Sequence, residues 1–162
     1  MDAALTRDHL ARLLSDENGA LAEFESLLER EHAALRQRDI DSLEALSPAR
    51  QSSLTHLLKL EDERRSVCSM LGYDTDLSGL ARLIAWCDPR RTLADAYEEC
   101  SRRARRCREL NDRNGALVNA RMKRVETLLT ALTGQPREAP TYGPKGAYAP
   151  TRSGGGMLAT EA

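Results

Sequence analysis

The sequence is poor in the residues that favour β-sheets. Isoleucine and valine together account for 5 of its 162 residues, and it contains one phenylalanine, one tryptophan and four tyrosines. Because strands are rich in β-branched and aromatic side chains, this shortage argues against a sheet. Leucine, by contrast, occurs 25 times. The composition predicts an all-α protein, long enough for one ordinary domain, whose helices pack through leucine-rich faces.

The sequence also lacks the usual patterns of catalytic and metal-binding sites. Its three histidines form no His-x-x-x-His pair, and its four cysteines form no Cys-x-x-Cys pair. It has no glycine-rich phosphate loop between a strand and a helix, and no local signature of an activated nucleophile. We therefore expect no enzyme activity and no cofactor. The cysteines are expected to be reduced and buried as small apolar side chains: Cys68, Cys87, Cys100 and Cys107.

No segment predicts insertion into a membrane or secretion through one. No uninterrupted apolar stretch approaches the ~20 residues that cross a bilayer. Asp2, Arg7 and Asp8 precede any apolar run, which is not typical of a signal peptide. We therefore expect a cytoplasmic protein without direct membrane insertion.

The charge balance does not favour a nucleic-acid partner. The chain has 24 basic and 25 acidic residues, which gives a net charge of −1. Residues 102–108 include five arginines, but no aromatic residue is interleaved with them. The acidic residues Glu98, Glu99 and Glu109 are close in sequence. We interpret this basic run as a solvated helix face rather than as a nucleic-acid contact.

Two leucine-rich heptad patterns predict an antiparallel helical hairpin. The first covers residues 2–37, and the second follows a break at residues 37–41, where Asp39 or Asp41 can cap the next helix. Pro48 lies inside the second pattern and is expected to begin the helix there or to kink it. The core positions of the first helix are Leu10, Leu14, Glu17, Leu21, Phe24, Leu28, Glu31 and Leu35. Those of the second are Leu43, Leu46, Arg50, Ser53, Leu57, Leu60, Arg64, Val67 and Leu71.

The charged residues of the two patterns match when the numbers of facing residues sum to 81. Glu31 then faces Arg50, Glu17 faces Arg64, and the midpoint falls in the predicted turn. Such polar residues at core positions would fix the register at some cost in stability. The alternative is that these charges lie at the edge of a loosely packed helix pair.

Two helices and a tail are predicted after the hairpin. A run of leucines indicates a short helix that ends before Asp88. Asp88 and Pro89 then form a start signal for a further helix, the third long one of the chain. It is of coiled-coil type and continues to Leu132. Beyond it the chain has four of its six prolines and six of its ten glycines, which is typical of disorder. We expect a helical bundle domain over residues 1–133 and a flexible tail over residues 134–162.

The middle of the long helix contains poor helix formers, namely Asn111, Asn114 and Gly115. The two asparagines share a helix face, and each amide can both donate and accept. Gly115 permits the close approach of another backbone. The stretch is either a weak point that relieves a long helix or a polar specificity element beside a docking groove. It leads into an apolar stripe suited to a partner helix, formed by Leu117, Val118, Val125, Leu128, Leu129 and Leu132.

These motifs resemble the FlgN family of flagellar export chaperones. The resemblance rests on Asn-x-x-Asn-Gly-x-Leu at residues 111–117, on the leucine-rich helix, and on Tyr-Gly-x-x-Gly at residues 142–146. It implies a cytosolic chaperone of type III flagellar export. The implied partners are hook-associated proteins of the hook–filament junction, kept from premature assembly, and the flagellar export gate or its ATPase complex.

The resemblance also implies roles for individual residues. Docking on the export gate would involve Tyr142 and Gly143. The resemblance and the apolar stripe together predict the residues that bind cargo. These are Asn111, Asn114, Gly115, Leu117, Val118, Val125, Leu128, Leu129 and Leu132. The alternative function is a structural coiled-coil module that self-associates without cargo. A homo-oligomer is compatible with both functions.

Overall fold

The computed structural model describes residues 2–133 and consists of four helices. Within this part of the chain no residue belongs to a strand, so the all-α prediction is confirmed. The predicted short helix is the third of the four, and the predicted long helix is the last. The helices are α1 (Ala3–Gln37), α2 (Ile40–Met70), α3 (Leu77–Cys87) and α4 (Ala94–Thr133).

The turn between α1 and α2 lies where the sequence predicts it. Arg38 ends α1 in the left-handed conformation, with φ of 60°. Asp39 caps α2, because its side chain accepts a hydrogen bond from the backbone N–H of Ser42 at 3.0 Å. Asp41, the other candidate cap, lies in the first turn of α2. Pro48 lies inside α2, so the expectation that the helix could begin there is wrong.

Helices α1 and α2 pack antiparallel in the predicted register. Arg50 forms an ion pair with Glu31, and Nε of Arg64 lies 3.8 Å from a carboxylate oxygen of Glu17. Both predicted pairs are confirmed. Burial raises the pKa of Glu17 although Arg64 lowers it, which means that the folded state disfavours the ionised carboxylate. The loss of hydration on burial therefore offsets part of the attraction between Glu17 and Arg64.

The apolar core positions of α1 are almost completely buried. The exposed fraction of Leu28 is 0% and that of Leu10 is 1%. Burying such a leucine contributes about 1.5–3 kcal/mol to folding. Helix α1 is the central helix of the core because it supplies more buried leucines than any other helix. Its other buried leucines and phenylalanine are Leu13, Leu14, Leu21, Phe24 and Leu35. Helix α2 contributes Leu46, Leu60, Val67 and Cys68.

Helix α4 packs parallel to α1, because the contacts between them advance together along both helices. The thiol of Cys100 donates to the carbonyl oxygen of Leu14 at 3.3 Å, and the thiol of Cys107 donates to that of Leu21 at 3.6 Å. The partners in each pair are 86 residues apart, and the second pair is one heptad beyond the first. All four cysteines are buried and free, as the sequence predicts.

Helix α4 begins later than the sequence predicts. Asp88 accepts hydrogen bonds from the backbone N–H of Leu93 at 2.7 Å and from the hydroxyl of Thr92 at 2.8 Å. Its side chain therefore closes a loop instead of capping a helix at the next residue. Arg91 adopts a positive φ of 57° within this loop, which interrupts helical geometry. The predicted start at Asp88 is wrong, since α4 begins at Ala94.

The chain divides into two compact units, Met1–Arg124 and Val125–Ala162. The first unit contains α1, α2, α3 and most of α4. The described part of the second unit is the last nine residues of α4. The predicted domain boundary between residues 133 and 134 stays a prediction.

A glycine in α3 is required by a close approach of two backbone segments. Asp76 caps α3 by accepting a hydrogen bond from the backbone N–H of Gly79 at 2.7 Å. A Cβ atom built on Gly79 would lie 1.9 Å from the carbonyl oxygen of Asp74. The loop before α3 can therefore fold back onto the helix only if residue 79 has no side chain.

We predict opposite effects of alanine at two helical glycines. Gly79→Ala should lower the free energy of unfolding by at least about 2 kcal/mol, because the backbone at Asp74 must move. Gly19→Ala should raise it by about 0.5–1 kcal/mol, because alanine favours the helix. A Cβ on Gly19 would meet no atom within 4 Å. Urea denaturation of both variants measures the difference, and effects of the same sign would contradict the prediction.

Candidate functional site

Five polar residues from three helices form a connected group in the first unit, which we call the polar cluster. Its members are Glu31 and His32 on α1, Arg50 on α2, and Asn111 and Asn114 on α4. Helix α4 is continuous across both asparagines. The poor helix formers noted in the sequence therefore do not interrupt the helix, and their side chains join α4 to the hairpin.

Asn114 is the buried centre of the polar cluster, with an exposed fraction of 3%. Its Nδ2 donates to the carbonyl oxygen of Leu28 at 3.0 Å and to the carboxylate of Glu31 at 2.8 Å. Its Oδ1 lies 2.9 Å from Nδ1 of His32. Since an amide oxygen can only accept, this arrangement assigns the proton to Nδ1 of His32. Asn114 also lies one heptad after Cys107 and, like that cysteine, donates to a carbonyl oxygen of α1.

Arg50 connects all three helices of the polar cluster. Its guanidinium pairs with Glu31 on α1, and its Nη2 donates to Oδ1 of Asn111 on α4 at 2.8 Å. Asn111 is exposed, so this second contact lies at the edge of the cluster. A planar guanidinium can hold two acceptors in fixed directions, which suits a residue that sets the position of two helices at once.

The sequence predicts parts of the polar cluster but not their connection. The Glu31–Arg50 pair is predicted from the hairpin register, and Asn114 from its unusual place in a helix, whereas His32 is missed. One signal in the sequence indicates the contact between α4 and α1 on which the cluster depends. Asn114 follows Cys107 by seven residues and Cys100 by fourteen, so all three occupy one heptad position. A series of small side chains at one heptad position indicates a close contact between helices.

The predicted cargo-binding residues that follow Asn114 differ in exposure. Gly115 is exposed, and a Cβ atom built on it would meet no atom within 4 Å. Leu117 is half-buried, whereas Val118 is 41% exposed and lies at an open groove that Leu43 and Leu54 also line. Their role in cargo binding stays a prediction, as does that of the two asparagines.

The described part of the second unit carries four large exposed apolar residues, which we call the C-terminal stripe. Their spacing along α4 places all four on one helix face. Single exposed leucines are common on protein surfaces, but a row of four is typical of a surface that a partner covers. The stripe consists of Val125, Leu128, Leu129 and Leu132, which are 56%, 58%, 50% and 74% exposed.

The basic run at residues 102–108 is largely paired with carboxylates. Arg103 lies 2.9 Å from Glu99 and 3.4 Å from Glu25, and Arg106 lies 3.6 Å from Glu25. This supports the interpretation of a charge-balanced helix face. The sequence identifies Glu99 as a neutralising residue, but it does not identify Glu25, which is distant in sequence and comes from α1.

Residues 2–133 lack two other kinds of feature. Their His, Cys, Asp and Glu side chains form no group of three that could hold a metal ion. None of their helices contains an apolar stretch of the length that a membrane span requires. Tyr142 and Gly143, the predicted residues for docking on the export gate, lie outside the described residues.

Comparison with models of protein families matches residues 1–150 to the family described as FlgN protein. The matched range includes the polar cluster, the C-terminal stripe and Tyr142. No match was found among curated proteins or among solved structures. The family match therefore covers most of the chain and both candidate sites.

We predict that Asn114 contributes much more to stability than Asn111. Asn114→Ala removes the hydrogen bonds from Nδ2 to the Leu28 carbonyl and the Glu31 carboxylate and the contact with His32, and it should lower the free energy of unfolding by about 2–3 kcal/mol. Asn111→Ala removes one exposed hydrogen bond and should cost less than about 1 kcal/mol. Chemical denaturation of both variants measures the difference, and a loss for Asn114→Ala no larger than that for Asn111→Ala would contradict the prediction.

Proposed function

The chain belongs to the FlgN family of flagellar export chaperones, and we propose that it binds hook-associated proteins, prevents their premature assembly and delivers them to the export gate. The proposal places the protein in the cytoplasm as part of type III flagellar export. It assigns no catalytic step and no cofactor to this chain. The observation that carries it is the exposed C-terminal stripe on α4.

The C-terminal stripe has the spacing with which one amphipathic helix recognises another. An export cargo that assembles through apolar helices must keep those helices covered until it is secreted. If a cargo helix lies along the stripe, both apolar surfaces leave water together. Each leucine or valine buried contributes about 1.5–3 kcal/mol, so the four contacts support micromolar binding after the ordering cost has been subtracted.

The motif residues in the first unit fit two different roles in this proposal. Asn111, Gly115 and Val118 are exposed and accessible to a cargo chain. The side chain of Asn114 is buried and already bonded to α1, so we assign it the role of holding α4 in position. A glycine beside exposed residues also allows a cargo backbone to approach α4 closely.

We predict that Leu128→Asp or Leu129→Asp abolishes cargo binding while the protein stays folded. Both leucines are at least half exposed, so an aspartate there remains solvated instead of becoming a buried charge. Calorimetry with a purified hook-associated protein measures binding, and far-ultraviolet circular dichroism measures helix content.

The matched control for this prediction is Leu58→Asp on α2, where the leucine is 59% exposed. It should leave cargo binding unchanged. If either stripe variant loses helix content together with binding, the stripe is part of the protein's own core. If both stripe variants bind cargo normally, the stripe is not the cargo site.

Delivery requires a second contact, which we assign to Tyr142 and Gly143. A tyrosine between turn-forming residues can act as a short linear motif whose ring fills a pocket on the gate. A motif separate from the cargo-binding helix allows cargo and gate to be bound at the same time.

We predict that Tyr142→Ala separates the two binding functions. Thermal stability and cargo affinity should stay nearly unchanged, while affinity for the cytosolic domain of the gate falls and less cargo is secreted. Calorimetry with one protein preparation measures both affinities, with Tyr148→Ala as a control from the same region of the sequence. Weaker cargo binding with normal gate binding would show that Tyr142 acts in cargo binding and not in docking on the gate.

A further inference from the structure

Ion pairs join α1 and α4 along one edge of their contact. The guanidinium of Arg106 on α4 lies 3.6 Å from a carboxylate oxygen of Glu25 and 3.7 Å from one of Glu29 on α1. Cys107 and Asn114 donate to carbonyl oxygens of α1 that are also one heptad apart, so the two parallel helices keep their register over this heptad. Residues one heptad beyond an ion pair therefore occupy the equivalent positions on the two helices.

One heptad farther on, the carboxylates on α1 are absent. Arg113 follows Arg106 by seven residues, and it takes the equivalent position on α4. Arg36 follows Glu29 by seven residues, so Arg113 faces an arginine where Arg106 faces a glutamate. The position equivalent to that of Glu25 belongs to His32, which carries no negative charge. Like charges that face each other weaken the contact between helices, and such a departure from the rules of folding is typical of a functional site.

The two facing arginines are available to a ligand. Arg36 and Arg113 are exposed, and neither forms an ion pair with any other residue of the range 2–133. Glu109 lies one helical turn before Arg113, but it is near Arg106, at 3.9 Å. Arg124 is also exposed, and it lies on the same side of α4 because it follows Arg106 by 18 residues, or about five turns. We call Arg36, Arg113 and Arg124 the arginine edge.

We propose that the arginine edge binds the carboxylates of an acidic segment of another protein. A guanidinium holds a carboxylate through two parallel hydrogen bonds, which suits arginine better than lysine for this contact. Arg113 and Arg124 are 11 residues apart, or about 16 Å along α4. A single small anion cannot contact both, whereas a chain with several carboxylates can.

The charge of the whole chain favours an acidic protein segment over a membrane or a nucleic acid. A net charge of −1 provides no long-range attraction to a large anionic surface. The excess of positive charge on the arginine edge is local, and it therefore suits a partner that makes a short, local contact.

The arginine edge is separate from the cargo-binding residues proposed in the first unit. Asn111 is two residues from Arg113 and Val118 is five residues from it, which places both about 140–160° around α4 from Arg113. The inference therefore goes beyond the proposed function, and its test requires no cargo.

Fluorescence anisotropy of a labelled poly-L-glutamate peptide, mixed with the full chain at about 0.05 to 0.5 M salt, tests the contact. Binding should weaken as the salt concentration rises. The double variant Arg36→Gln/Arg113→Gln should weaken binding at low salt by about fivefold or more. The matched control Arg105→Gln/Arg108→Gln removes the same charge from two exposed arginines elsewhere on α4, and it should change binding by less than about twofold.

Two further probes distinguish other sources of negative charge. Inorganic phosphate, substituted for chloride at equal ionic strength, should not displace the peptide. Vesicles of phosphatidylglycerol should bind the wild-type chain and the Arg36→Gln/Arg113→Gln variant equally or not at all. Thermal unfolding of the same variant should show no fall in the midpoint, because neither arginine has an ion pair to lose.

The proposal is overturned if the wild-type chain does not bind the peptide, or if the two double variants bind it equally well. Displacement of the peptide by phosphate would instead identify a site for small anions. Vesicle binding that depends on Arg36 and Arg113 would identify a membrane contact. A lower unfolding midpoint without loss of peptide binding would show that the two arginines serve the fold.

Discussion

The packing of α4 on α1 depends on a short series of donors that reach carbonyl oxygens of the partner helix. Cys100, Cys107 and Asn114 occupy one heptad position, and each donates to a carbonyl at the same offset along α1. Side chains this short reach a backbone only when the two helices are very close, which excludes larger residues from that position. The parallel register of α4, and with it the place of the polar cluster, follows from this constraint.

The hairpin could be predicted from the sequence because its determinants are local or paired by charge. A break flanked by aspartates located the turn, and Glu31 and Arg50 confirmed the register that the turn implied. The packing of α4 could not be predicted in the same way. Buried cysteines resemble any small apolar residue in a heptad pattern, and nothing near Cys107 in the sequence identifies Leu21 as its partner. The heptad spacing of such small residues indicates a close contact between helices, but it does not identify the partner residues.

The start of α4 was predicted wrongly because two local patterns compete for one side chain. Asp88 followed by proline is a good cap for a helix, but the same carboxylate can accept hydrogen bonds from residues farther along the chain. It does so here with Thr92 and Leu93, and Arg91 adopts the left-handed conformation that this loop requires. The candidate site shows a similar limit. The C-terminal stripe is evident from leucine spacing, whereas the role of His32 depends on a contact with Asn114 in a distant helix.

The reactivity of the two thiols between α1 and α4 depends on the movement of α4. Burial raises the pKa of Cys100 and Cys107 to about 11, so at neutral pH both remain protonated and serve as donors. The reactive form of a cysteine is the thiolate, and here it becomes accessible only when α4 moves away from α1. The rate at which an alkylating reagent labels these cysteines therefore reports how often the helix opens under native conditions.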